Sequence, residues 1–183
     1  MILIEPPRTT TAARRAPLNQ RELAQFATRA LRAAGAQGTV SILLTGDQRL
    51  RELNHQFRKK NAPTDVLSFP PPDWDNDWET TKRRTAGDLA ISLETAARQA
   101  ESHGHSLATE VKILILHGAL HLAGYDHETD SGQMAHLENR LRKEFGLPTG
   151  LIQRSATRTT RSNNRPTKSA AKPTNPSAKA GRA

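Results

Sequence analysis

The sequence predicts one α/β or α+β domain in which helices pack against a single mixed β-sheet. Short runs of strand-forming residues alternate along the chain with segments whose apolar residues recur at helical spacing. A segment at 107–124 is apolar almost all round, so it should lie at the centre of the domain. The length of 183 residues is near that of one domain, which we place at residues 1–150, followed by a tail at 151–183.

Four runs are predicted to be strands because they are rich in strand-forming residues and lie next to glycine or proline. Gly38 and Gly46 bound the second run, and Pro70 follows the third. In chain order the runs are MILI (1–4), TVSILLT (39–45), DVLSF (65–69) and GDLAIS (87–92).

Five segments are predicted to be helices because each combines apolar residues at helical spacing with a polar residue that can cap its first turn. The capping residues are Asn19, Asp47, Ser92, Ser106 and Asp130. Gly35, Gly124 and Gly146 can adopt the left-handed backbone conformation that often follows a helix.

Two polar stretches between these elements are predicted to be loops, at residues 5–17 and 71–85. The second, PPDWDNDWETTKRRT, contains Trp74 and Trp78. An indole ring can stack on a nucleobase. A tryptophan in a loop more often folds back on the core, and we favour that interpretation.

Composition excludes several classes of protein. Cysteine is absent, so disulfides and thiolate metal sites are excluded, which fits a reducing compartment such as the cytoplasm. No run of about eighteen apolar residues is available to span a membrane. The amino terminus also lacks the long hydrophobic stretch of a secretory signal.

The formal net charge of +9 is concentrated at the carboxyl end. Residues 154–183 contain eight Lys or Arg and no Asp or Glu, whereas the other 153 residues contain 19 basic and 18 acidic side chains. This tail is rich in Ser, Thr, Ala and Pro without apolar periodicity, so we expect it to be disordered. Lys and Arg side chains distributed along a disordered segment can bind the phosphates of a nucleic acid, so the tail is predicted to be a nucleic-acid-binding arm. The alternative is a tail that only aids solubility.

Three histidines fall within eleven residues, HGALHLAGYDH at 117–127. His117 and His121 are four residues apart, so inside a helix they project from one face. Gly124 can end that helix and turn the chain back, which would bring His127 to the other two. The pattern therefore predicts three imidazoles around one point.

Three neutral imidazoles with an open fourth position are the ligand set of a catalytic zinc site, although imidazole also suits nickel, copper and iron. The spacing matches that of metzincin proteases, whose catalytic glutamate directly follows the first histidine. Here that position is Gly118, which cannot act as a base, so a conventional protease is disfavoured. We expect the missing side chain to leave space beside the metal for a substrate phosphate. The remaining histidines are expected to be surface or packing residues: His55, His103, His105 and His136.

The histidine stretch resembles the signature of the YbeY family of rRNA-processing endoribonucleases. LNHQFRKKNAPTDVLSFP (53–70) and GDLAIS (87–92) match the family in the expected order, so the resemblance extends from about the first helix to Leu147. It implies a single α/β domain that binds zinc through His117, His121 and His127 and cuts single-stranded RNA. It further implies a role in 16S rRNA 3′-end maturation and ribosome quality control in the bacterial cytoplasm. The implied partners are rRNA and the small ribosomal subunit, with ribosomal proteins or assembly GTPases as further candidates.

The resemblance also implies that Arg58 is the arginine of the active cleft, and we assign Arg58 and His117 as catalytic. A guanidinium is always charged, and its planar fork matches phosphate oxygens. Lys59 and Lys60 extend the basic patch and could hold flanking phosphates. The alternative for both lysines is a solvated helix end.

Three carboxylates are candidates for orienting a ligand imidazole through its second nitrogen: Asp65, Asp126 and Glu128. Asp65 and Asp126 can equally well pin the turns in which they lie. The sequence alone identifies no general base.

Two other functions stay open. The chain could be a ribosome-associated assembly factor whose metal site is mainly structural and whose basic tail supplies affinity. It could also be a metal-dependent peptidase, which Gly118 disfavours.

Overall fold

The computed structural model describes residues 1–4, 18–71 and 85–148, and in this part of the chain it confirms the predicted fold class. It is an α+β fold in which five described helices surround one mixed sheet of four strands. Both tryptophans, the loop at 5–17 and the basic tail lie outside the described residues, so what the sequence predicts for them stays a prediction.

The sheet has the strand order β1-β2-β4-β3. Its strands are β1 (Ile2–Ile4), β2 (Thr39–Thr45), β3 (Val66–Phe69) and β4 (Thr85–Ser92). β1, β2 and β4 run parallel, whereas β3 is antiparallel to β4. In the described sheet, β3 therefore forms one edge and β1 the opposite edge.

The helices are α1 (Gln20–Ala34), α2 (Asp47–Arg58), α3 (Leu93–His103), α4 (Leu107–Leu122) and α5 (Gln133–Glu144). The side chains of Asn19, Ser92 and Ser106 each accept a hydrogen bond from a first-turn amide, as predicted. None of these helices is both long enough and apolar enough to cross a bilayer.

Two of the predicted caps are placed differently. Asp47 is the first residue of α2 and does not cap it; its carboxylate instead accepts hydrogen bonds from Ser92 and Thr95 at the start of α3. Asp130 lies ahead of α5, which begins at Gln133, yet it still accepts from the Met134 amide at 2.8 Å.

Helices cover both faces of the sheet. On one face α1 and α4 pack over the main apolar core, which includes Ile42, Leu44, Leu89 and Ile91. On the other face α2 covers a smaller cluster of Leu50, Leu67 and Ala90. α4 also contacts α3, α5 and β3, so it is the central helix that its apolar sequence predicts.

Candidate metal centre

α4 presents the first two histidines on one face, as the spacing of four residues predicts. His117 lies in the last turns of the helix with only 8% of its surface exposed, and His121 is half-buried one turn later. Their Nε2 atoms lie 3.2 Å apart. Because α4 is packed on several sides, the positions of both rings are set by the core of the domain.

Gly124 terminates α4, as the sequence predicts. Its φ of +90° is in the left-handed region, and the Gly124 and Tyr125 amides donate to the carbonyls of His121 and Leu120 at 3.0 and 3.1 Å. These two bonds form a Schellman motif, which closes the helix and reverses the chain. Asp126 then pins the following turn by accepting from the Glu128 amide at 3.0 Å.

The turn brings the exposed His127 to the other two histidines. The three ring centroids lie 4.8 to 5.4 Å from one another, and one ring nitrogen of each residue lies within 4.8 Å of the others. This is the one group of three or more potential ligands that the described residues bring together. Zinc held tetrahedrally at about 2.0–2.1 Å places ring nitrogens about 3.3 Å apart, close to the spacing of the His117 and His121 nitrogens.

A buried chain of polar contacts orients His117. Its Nδ1 donates to Glu138 Oε2 at 3.1 Å, and Glu138 Oε1 accepts from Arg142 Nη1 at 3.1 Å. Arg142 Nε in turn donates to the Pro148 carbonyl. Glu138 and Arg142 are each only 1% exposed. A carboxylate on Nδ1 selects the tautomer that leaves the Nε2 lone pair free, which is the arrangement typical of metal-binding histidines.

The charge state of His121 suits a cation. Burial, together with the neighbouring His117 and His127, lowers the pKa of His121 to about 4, against an opposing hydrogen bond with the Tyr125 backbone. His121 is therefore neutral at physiological pH. Because a metal ligand must be unprotonated, its ring is ready to bind without first losing a proton.

The prediction about the orienting carboxylates needs correction. The carboxylate on His117 is Glu138 of α5, and none of Asp65, Asp126 and Glu128 makes such a hydrogen bond with a histidine ring. Asp65 pins its own turn, since it accepts from Thr64, the Val66 amide and Gln99. The Glu128 amide holds the pKa of Asp126 below its usual range, and the bond with Thr129 and the two nearest histidines add to this.

The expected space beside Gly118 is also absent. A Cβ atom on this residue would lie 2.6 Å from Leu89 Cδ2 and 3.3 Å from Ser68 Oγ. Gly118 therefore allows α4 to pack closely on β3 and β4, and its small size does not provide room for substrate. A glutamate or any other side chain fits at this position only if Leu89 or the helix moves.

An open groove of about 880 Å³ runs past the three histidines and provides the room. Arg58 and Lys60 line it together with the histidines, so the structure brings the predicted arginine to the same groove. Lys59 does not line it. Lys59 has a φ of +58°, a left-handed conformation that ends α2 and redirects the chain between the two groove-lining cations.

Sequence reasoning missed three residues of this region, Glu138, Arg142 and Phe57. The first two carried a signal: they lie at helical spacing with Met134 and Leu141, so both charges interrupt the apolar stripe of α5. The structure also places His103 on the groove wall and half-buries His105 in a hydrogen bond with Glu110, which fits the surface and packing roles expected of them.

Comparisons with known proteins find a matching family and several similar chains. The sequence model described as Endoribonuclease YbeY matches residues 9–146. A protein of Koribacter versatilis named Endoribonuclease YbeY is 47% identical over 140 residues, which cover 76% of this chain and 86% of that protein. A protein of Solibacter usitatus with the same name is 46% identical over 151 residues, covering 81% and 96%. A solution structure from Thermotoga maritima is similar at 21% identity and a TM-score of 0.48, and covers 92% of this chain and 100% of that one.

Proposed function

The chain belongs to the YbeY endoribonuclease family, and on that premise we propose that it cuts single-stranded RNA at the histidine centre. The observation that carries the proposal is the convergence of three ring nitrogens in a groove that Arg58 also lines. In the proposed reaction, a cation at the histidine centre and the guanidinium of Arg58 act together on the phosphodiester. The reaction needs no cysteine and no covalent intermediate with the protein.

The proposed cofactor is one zinc ion per chain, held by His117, His121 and His127. Three facts support the fit: the spacing of the ring nitrogens, the carboxylate behind His117, and the low pKa of His121. Three protein ligands leave a coordination position open, which is typical of catalytic and not of structural zinc sites. A bound zinc ion would supply Lewis-acid polarisation of a phosphoryl oxygen and would acidify a water molecule.

The residues of this chain have separate tasks in the proposed reaction. Arg58 binds the scissile phosphate, because its fork of N–H donors can hold two phosphate oxygens and neutralise charge that develops on them. Lys60 holds a neighbouring phosphate as a point charge. Glu138 keeps His117 in one orientation and one tautomer throughout.

The proposed biological role is maturation of the 16S rRNA 3′ end and ribosome quality control in the bacterial cytoplasm. The partners would be rRNA and the small ribosomal subunit, together with ribosomal proteins or assembly GTPases. We assign catalysis to a domain at 1–150, and the basic tail at 151–183 adds affinity for RNA without sequence preference.

Metal analysis paired with an RNA cleavage assay tests the proposal. The purified full-length protein should carry about one zinc per chain and cut an unstructured RNA oligonucleotide, and a chelator should stop cleavage reversibly. His127→Ala removes an exposed ligand without disturbing the core, so it should lose zinc and cleavage while staying folded. His136→Ala, which removes an exposed histidine of α5 outside the centre, is the matched control and should behave as the wild type.

The same experiment separates the alternatives. Cleavage that persists in His127→Ala without metal would refute the proposed centre. If chelation unfolds the domain and the metal-loaded protein binds RNA without cutting it, the chain is instead an assembly factor with a structural metal site. Chelator-sensitive digestion of casein would favour a peptidase, for which Gly118 offers no carboxylate.

A further inference from the structure

Phe57 is an aromatic residue whose side chain is exposed to solvent. It is 58% exposed, and among the described residues it is the one Phe, Tyr or Trp classed as exposed. The other large apolar residues with comparable exposure, Met1 and Leu3, lie at β1 on the opposite edge of the sheet. Phe57 instead lines the groove that contains the histidine centre.

The register of α2 explains this position. Phe57 follows Leu50 by seven residues and Asn54 by three, so it lies on the helix face that packs against the sheet. The helix ends one residue later, where the sheet reaches its β3 edge. The ring therefore has the sheet beside it on one side and the open groove on the other.

One contact holds the ring in place. Phe57 and Phe69 of β3 have ring centroids 5.0 Å apart and an interplanar angle of 67°, an edge-to-face pair. In such a pair at least one face of the Phe57 ring is left uncovered by Phe69. The result is an exposed aromatic ring that packs against Phe69 and keeps a face uncovered by it beside the groove.

The neighbours of Phe57 give this surface the chemistry of a nucleotide site. Arg58 and Lys60 line the groove immediately after it, and both are exposed. Proteins that hold single-stranded nucleic acid combine cations along the backbone with aromatic rings on which bases stack. A base and its adjacent phosphate would meet both kinds of group within four consecutive residues of this chain.

We propose that Phe57 is a stacking platform for one unpaired nucleobase of the RNA, with the adjoining phosphates held by Arg58 and Lys60. This inference rests on the proposed function, and it gives a physical reason why the protein would prefer single-stranded RNA. In a duplex both faces of an internal base are covered by its neighbours, so only an unstacked base can lie on the ring. Phe57 binds substrate and takes no part in the chemical step.

Cleavage kinetics of the zinc-loaded full-length protein test the platform on an unstructured RNA oligonucleotide. Phe57→Ala should raise KM by about five- to a hundred-fold, as expected for the loss of one stacked base, with a smaller change in kcat. Phe57→Trp keeps an aromatic face and should retain the wild-type KM, whereas Phe57→Leu keeps only apolar volume and should resemble Phe57→Ala. The preference for the single strand over a duplex of the same sequence should fall in both defective variants.

A scan of abasic substitutions through the oligonucleotide locates the base. In the wild type, one abasic position should raise KM about as much as Phe57→Ala does. With that same substrate, Phe57→Ala should cause no further loss, because the partner of the ring is already missing. Leu3→Ala, an equally exposed apolar residue at the far edge of the sheet, is the matched control and should leave KM and zinc content unchanged.

The failures of the two proposals are distinguishable. If the wild type cleaves RNA and Phe57→Ala has the same KM, the platform is refuted and the endoribonuclease proposal stands. If Phe57→Ala raises KM equally for the intact and every abasic substrate, the ring supports the fold or a protein contact, and the platform is again refuted. If the wild type cleaves no RNA at all, both proposals fall.

Discussion

The two ends of the histidine centre are built in opposite ways. His117 is buried in the central helix and tied through Glu138 to Arg142, both of which are buried. His127 is exposed, and it lies in a turn held by the hydrogen bonds of Asp126. One histidine is thus fixed by the core and the other by a short surface loop.

This difference in burial gives the two histidines different roles in the centre. A ring held by packing and by a buried carboxylate gives the centre a fixed position relative to the groove. A ring on an exposed turn can move by small amounts, which allows the centre to accept a metal or to adjust when substrate binds. Substitution of the residues that hold His117 should therefore lower both the stability of the fold and its metal affinity. Substitution of the residues that hold the turn of His127 should lower mainly the metal affinity.

Glu138→Ala should cause the largest loss of stability and metal affinity. It removes the buried carboxylate that contacts both His117 and Arg142, so the free energy of unfolding should fall by about 3–5 kcal/mol. Metal affinity in the protein that remains folded should fall by about 10- to 100-fold. Urea denaturation and zinc titration measure the two quantities. A Glu138→Ala protein with wild-type stability and zinc affinity would show that the contact orients nothing.

Gly118→Ala tests how tightly α4 must pack to fix His117. Its new Cβ would approach Leu89 Cδ2 to 2.6 Å, so we expect a loss of about 1–3 kcal/mol from overpacking. Truncating the neighbour in the double variant Gly118→Ala/Leu89→Ala should relieve the clash. The double variant should therefore lose less stability than the two single losses added together. Strict additivity of the urea results would mean that Gly118 is not needed for close packing.

Acidification should destabilise the metal-free protein through His121. The unfolded chain protonates this histidine near a pKa of about 6.5, whereas burial and the neighbouring His117 and His127 lower the folded-state pKa to about 4. Between these values the unfolded state binds more protons, so stability falls as the pH falls through that window. Urea midpoints measured in chelator at several pH values should fall less steeply for His121→Gln than for the wild type. Equal slopes in the two proteins would contradict the lowered pKa.

Asp126→Ala should give the smallest change in stability. Its carboxylate is exposed to solvent and serves the turn that carries His127, so the unfolding free energy should fall far less than in Glu138→Ala. Zinc affinity should fall more clearly than stability does, and Asp126→Asn, which can keep the turn bonds, should restore most of it. A loss of stability as large as that of Glu138→Ala would abolish the contrast between the two ends of the centre.

Much of this organisation could be predicted because its causes are local in the sequence. The spacing of His117 and His121 sets their common face, and Gly124 supplies the left-handed residue that the turn requires. The strands follow from runs of strand-forming residues, the helices from apolar residues at helical spacing, and the central position of α4 from its being apolar almost all round. Arg58 came from resemblance, and the structure places it in the groove.

The features that could not be predicted depend on how separate elements pack. Glu138 reaches His117 across 21 residues because α5 packs on α4, and no local pattern specifies that crossing. Gly118 was expected to open space, but it lies where α4 packs closely on Leu89 and Ser68 of the sheet. Lys59 adopts a left-handed conformation although it is not glycine, so nothing in the sequence indicated that it alone of three basic residues would leave the groove.

Anomalous X-ray scattering at the zinc edge, on crystals of the zinc-loaded protein, tests the central claim most directly. We expect one strong peak per chain, about 2.0–2.1 Å from a ring nitrogen of each of His117, His121 and His127. A peak that lies elsewhere, or a metal-loaded protein in which the three rings share no ion, would contradict the proposed centre.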